Sequence, residues 1–110
     1  MTPMTLLAER DAARRARRLD LYTETRSRLR TALAELVPGV RVIVFGSLTK
    51  PGVFNDASDI DLAFENEPSS GLFGVMEALT ERLARPVDVV ILDRCRFRDR
   101  IRREGELWIA

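Results

Sequence analysis

Histidine is missing from this chain altogether, and cysteine occurs once, as Cys95. Without histidine there is no Ser-His-Asp or Cys-His nucleophilic scheme, no imidazole general base and little material for a zinc site. A single cysteine rules out an internal disulfide framework and fits a reducing compartment. Lysine is nearly absent too: Lys50 stands alone, and arginine supplies the rest of the positive charge. Neither sign of charge dominates, since 18 Lys+Arg face 17 Asp+Glu for a formal net charge of +1. The totals therefore give no support to nucleic-acid binding. No apolar run approaches the ~20 residues that cross a bilayer. The opening Met1-Thr2-Pro3-Met4-Thr5 lacks the basic-then-apolar order of a secretory signal. A cytoplasmic location is the resulting expectation.

What is present suffices for one modest core: 110 residues, 45% of them hydrophobic. We expect a single domain over 1–110, with a long helix over 5–37 ahead of a core over 40–110. Thr5 is a suitable N-cap, and Pro38-Gly39 ends the run. The inward stripe predicted from spacings of three and four is Leu6, Ala13, Ala16 or Arg17, Leu19, Tyr22, Leu29, Ala32 or Leu33, and Leu36. Between positions 10 and 18 stand five arginines against one aspartate, Asp11. They read as a solvated face whose long stems cover apolar surface, with a docking surface for RNA or an acidic partner as the sharper alternative.

Val40-Arg41-Val42-Ile43-Val44-Phe45 is a mostly apolar, β-branched stretch, expected as an interior strand. Turn signals follow at Gly46-Ser47, Pro51-Gly52 and Asn55-Asp56. A second strand is expected over 59–64. Its alternation puts Ile60, Leu62 and Phe64 on the core side and Asp59, Asp61 and Ala63 on the other. Ser70 can cap a helix over 71–84, a third strand follows over 87–92, and 94–104 reads as a short helix anchored by Phe97 and Ile101. Leu107-Trp108-Ile109 suits a short last strand or a docking segment, with Trp108 as packing anchor.

Three polar features punctuate these strands. A Gly-Ser turn can aim backbone N–H groups and a hydroxyl at phosphate oxygens. After a gap of eleven residues from Ser47 come Asp59 and Asp61, whose i, i+2 spacing puts two carboxylates on one side of a strand. Asp88 interrupts an otherwise apolar strand, and a buried lone carboxylate is costly unless it meets a cation or donors. A cleft shared by all three carboxylates would repel strongly unless divalent cations were bound. Oxygen-only ligands suit Mg²⁺, two ions in the usual arrangement, or Mn²⁺, and not zinc. Phosphate cradle and carboxylates together point to metal-assisted chemistry on a nucleotide. Gly46, Ser47 and Lys50 are the expected phosphate contacts; Asp59, Asp61 and Asp88 are the expected metal ligands and catalytic groups, with Asp88 the candidate to orient or deprotonate an acceptor hydroxyl.

Gly46-Ser47, the eleven-residue gap, Ser58-Asp59-Ile60-Asp61-Leu62 and the later Asp88 resemble the nucleotidyltransferases of the DNA polymerase β superfamily. The short length and Arg100-Ile101-Arg102-Arg103-Glu104-Gly105 resemble more narrowly the minimal nucleotidyltransferases, the MntA-type antitoxins encoded beside HEPN-domain toxins. The resemblance covers 40–107. It implies an α/β fold with a small mixed sheet flanked by helices. It also implies Asp59 and Asp61 as metal ligands, Asp88 as third carboxylate, Ser47 as a phosphate contact, and transfer of AMP from ATP to a tyrosine of the HEPN partner. Lys50 departs from the pattern, standing near where relatives often carry arginine, so it would meet a phosphate as a point charge without the bidentate fork. Two other functions stay open: nucleotidyl transfer to a small molecule, and a non-catalytic antitoxin that acts by contact. The sequence does not decide the oligomeric state.

Overall fold

In the computed structural model, which describes residues 5–110, a long helix leads into a four-stranded sheet. Helix α1 runs Leu6–Leu36, with the Thr5 hydroxyl accepting from the Ala8 N–H at 3.1 Å as N-cap. Pro38 and a left-handed Gly39 then turn the chain into strand β1, Arg41–Phe45. Strand β2 (Ile60–Phe64), helix α2 (Leu72–Leu83), strand β3 (Val87–Ile91), helix α3 (Arg98–Glu104) and strand β4 (Glu106–Ile109) complete the order. The sheet order is β3-β2-β1-β4; β1 pairs antiparallel with β2 and β4, and β2 pairs parallel with β3. This is the mixed α/β sheet expected from the sequence, with each strand within a residue of its expected limits.

Register sorts the side chains onto two faces. Val42 opposes Phe64 and Trp108, Val44 opposes Leu62, and Leu62 opposes Val89. These residues join Leu29 and Leu33 of α1 and Val75 and Leu79 of α2 in the main core, nearly all under a tenth exposed. Burying each such side chain is worth roughly 1.5–3 kcal/mol, so this face carries most of the stability. The opposite face is thinner: Ile43 and Ala63 are covered by Leu92 and by Ile101 of α3. Ala63, placed by alternation on the side away from the core, is thus fully buried within this smaller cluster.

Other expectations need correction. Leu6, at 74% exposed, and Leu19, at 51%, do not face a core, and Ala13, Ala16 and Arg17 are exposed as well. Only from Leu21 onward does α1 meet the domain. The stripe drifts: successive steps of three from Tyr22 back to Ala13 carry it half-way round the helix, away from the face that packs at Leu29 and Leu33. Ser70 does not cap α2; Gly71 does, at φ +90°, with no side-chain hydrogen bond. The helix expected over 94–104 begins only at Arg98, after a short 3-10 turn over Leu92–Arg94, and Phe97 precedes it, largely exposed. Trp108 is a packing anchor as expected, buried on the edge strand β4.

Candidate active site

Phe45 ends β1, and Gly46 turns the chain away in a conformation that suits glycine, φ +75°. A short 3-10 turn, Gly46–Thr49, follows, with the Lys50 N–H donating to the Ser47 carbonyl at 3.0 Å. The Thr49 hydroxyl donates to the Gly46 carbonyl at 2.7 Å and so fixes the turn from within. Arg26 of α1 fixes it from outside, donating to the Leu48 carbonyl at 2.9 Å. That guanidinium also reaches both carboxylate oxygens of Glu106, at 3.1 and 2.7 Å, and lies 5.0 Å from the ring centres of Tyr22 and Trp108. The bond from Arg26 holds the Glu106 carboxyl below its ordinary range.

The loop that delivers the second strand is tied as firmly. Arg85 donates to the carbonyls of Asn55 at 3.1 Å and Ser58 at 2.7 Å, and stacks 4.6 Å over Phe54, which is fully buried. The Asn55 side chain accepts from the Ala57 N–H at 2.9 Å, an Asx turn immediately ahead of Asp59.

Register then brings the acidic groups together. Asp61 is the parallel partner of Asp88 and the antiparallel partner of Phe45, the residue before the turn. Paired residues on neighbouring strands share a face and sit about 5 Å apart, so the carboxylates of 61 and 88 lie side by side on the thin face. Burial raises the Asp61 carboxyl above its ordinary value, and the charges of Asp88 and then Asp59 raise it further. Among the described residues, none of these three aspartates has a salt-bridge partner. A β-carbon placed on Gly46 would collide with the Asp61 carboxylate, so the missing side chain is what gives that carboxylate room beside the turn.

Gly46, Thr49, Lys50, Asp61 and Asp88 line one side of a cleft of about 1120 Å³, ample for a nucleotide. Val90, two residues beyond Asp88 on the same face of β3, lines the cleft too, as do Cys95, Phe97, Arg100 and Ile101. Ser47, half-buried in the turn, and Asp59, exposed ahead of β2, are not among its lining residues. Among the described residues, no three acidic or thiol side chains converge into a ready-made ion cluster. The fold presents a pair, Asp61 with Asp88, and Asp59 acts on it electrostatically from the mouth. The donor chemistry fits hard cations: carboxylate oxygens, mutually repelling, and without a salt bridge among the described residues.

Sequence reasoning missed several residues here. Arg26 and Arg85 support the two loops through long-range bonds that no local pattern announces. Thr49 had a signal, a hydroxyl three residues after a turn glycine. The far wall, Cys95 to Arg100, was hidden because that stretch read as helix.

A carboxylate pair beside a glycine-opened turn, in a cleft of nucleotide size, is the arrangement against which the comparisons fall. No curated protein matches the chain, and no solved structure matches it. A family model described as nucleotidyltransferase domain matches residues 26–107. That span begins at the arginine that braces the turn and ends in the edge strand, so it contains the sheet, both loops and all three aspartates. The three helices and mixed sheet agree with the polymerase β-like nucleotidyltransferase fold, at the size of a minimal member. The chain belongs to the nucleotidyltransferase domain family.

Proposed function

We propose that this chain transfers AMP from ATP to a hydroxyl of a partner protein, with Mg²⁺ as cofactor, and that the partner is a HEPN-domain toxin encoded beside it. The observation that carries the reading is the Asp61–Asp88 register pair abutting the Gly46 turn. In this reading the chain acts as one nucleotidyltransferase domain. Asp61 and Asp88, with Asp59, would hold the cations. Bound there, Mg²⁺ supplies neutralisation of the triphosphate and Lewis-acid polarisation of its oxygens. The amides that follow Gly46, the Ser47 hydroxyl and Lys50 orient the β- and γ-phosphates. Asp88, the more exposed of the pair, takes the proton of the acceptor hydroxyl as its oxygen attacks the α-phosphorus. The bond from that phosphorus to the bridging oxygen breaks, and pyrophosphate leaves. A protein acceptor suits the cleft because it is open, and the described residues add no second lobe to enclose a small molecule.

The test mixes purified protein, α-labelled ATP, Mg²⁺ and the HEPN-domain protein. Label on a hydroxyl of the partner, lost with Asp61→Asn and with chelator, is the expected result. Neutralisation of the toxin by the variant without label would establish contact inhibition instead. Label appearing on added small-molecule alcohols alone would move the acceptor class.

A further inference from the structure

Half of α1 packs against nothing. Residues 6–20 are exposed except for half-buried Ala12, although the helix continues unbroken from Leu6. At 1.5 Å per residue this is an arm of roughly 22 Å. It leaves the domain at a defined place: Arg26 bonds the Leu48 carbonyl of the phosphate-binding turn, and the arm extends outward from there. Arg14, Arg17 and Arg18 share a groove of about 530 Å³ with Asn55, Asp56 and Ala57, the loop that delivers Asp59. The arm therefore runs beside the loop that leads into Asp59 and strand β2.

Its chemistry is specific. Along the face that is apolar from Leu21 to Leu36, the arm carries Leu7, Asp11, Arg14 and Arg18, spaced four, three and four apart. Among the described residues, Arg10, Arg14, Arg15, Arg17 and Arg18 make no salt bridge, although Glu9, Asp11, Asp20 and Glu24 lie on the same helix. By contrast Arg26, Arg82 and Arg100 are all paired. An unpaired row of guanidinium forks alongside exposed leucines matches a protein interface, where arginine and apolar contacts are enriched. It does not match a nucleic-acid track: three carboxylates, Glu9, Asp11 and Asp20, interrupt the positive charge of the arm, and among the described residues it has no aromatic platform before Tyr22.

We infer that the arm docks the acceptor protein through an acidic, partly apolar surface on that partner, and so delivers its hydroxyl to the cleft edge. This rests on the proposed protein-directed transfer, and the experiment separates the two. Arg14→Gln/Arg17→Gln/Arg18→Gln removes the charge without touching the cleft lining, and a chain starting at residue 19 removes the arm. Both should keep the melting temperature and the Mg²⁺-dependent binding of ATP. For the HEPN-domain protein, the triple variant should raise Kd about 10- to 100-fold and flatten its salt dependence, and labelling at sub-saturating partner should fall in proportion. Unchanged Kd and labelling in both variants would sink the docking role while leaving the transfer reading intact. Arm-dependent binding without label would do the reverse. Arm-dependent binding to a single-stranded RNA oligonucleotide in place of the protein, or a wild-type dimer dissolved by the variants, would overturn the choice of occupant.

Discussion

Gly46 and Asp61 are a coupled pair, and each makes sense only through the other. Glycine at 46 serves two needs at once: its φ of +75° strains any other residue, and its missing side chain leaves room for the Asp61 carboxylate. Gly46→Ala should therefore cost about 1–3 kcal/mol in denaturant unfolding and abolish transfer, because the turn or the carboxylate must move. Asp61 carries the opposite signature, a group kept at a cost to stability. Burial and two neighbouring carboxylates raise its folded-state value, so the stability deficit exists where it is ionised and is relieved as pH falls through that raised value. In metal-free buffer at neutral pH, Asp61→Asn should raise Tm by about 2–5 °C while transfer is lost. Added Mg²⁺ should stabilise the wild type more than the variant. A variant that melts lower without metal would remove the electrostatic account.

The elements show where stability can be gained and where it depends on charge. Helix α2 ends on Ala84 at φ +53°, a left-handed residue with a side chain. Ala84→Gly should add about 0.5–1 kcal/mol, read as a shifted urea midpoint at unchanged slope. Helix α1 and strand β4 are joined by Arg26 and Glu106, and here the pH sign is the ordinary one. The Glu106 carboxyl is held low by the Arg26 bond. Its contribution is present above the usual carboxylate range and is lost as pH falls through the lowered folded value. Melting curves from pH 7 down to about 3 should show Glu106→Gln with a shallower acid loss than wild type. Arg26→Lys should restore little of what Arg26→Ala removes, because one ammonium cannot serve a bidentate carboxylate, a carbonyl and two ring faces.

For the molecule as a whole, the legible part was what short-range pattern encodes. Period-two alternation put Ile60, Leu62 and Phe64 on the core side, and Pro38-Gly39 closed α1 in the right place. Of the candidate residues read from type and spacing, register puts Asp61 against Asp88, while Ser47 and Asp59 do not line the cleft. What stayed hidden depends on partners distant in sequence. Ala63 is buried because Leu92 and Ile101, far along the chain, join it and Ile43 in a second small core, and Gly105 lets the end of α3 lie close to β1, since a β-carbon there would collide with the Ile43 side chain. Leu6 and Leu19 join the inward stripe only by steps of three that slip round the helix, and the face that packs at Leu29 continues instead through Arg18, Arg14 and Leu7, beyond the domain.

The pairing of β2 with β3 carries one more consequence. Twenty-six residues separate Asp61 from Asp88, and the only thing that sets their carboxylates side by side is a parallel ladder closed through α2. A chain that has formed the β1–β2 hairpin but not yet docked that crossover holds half a site. The juxtaposition of the two carboxylates is therefore a property of the assembled sheet and of no local segment, and any opening of that ladder parts them.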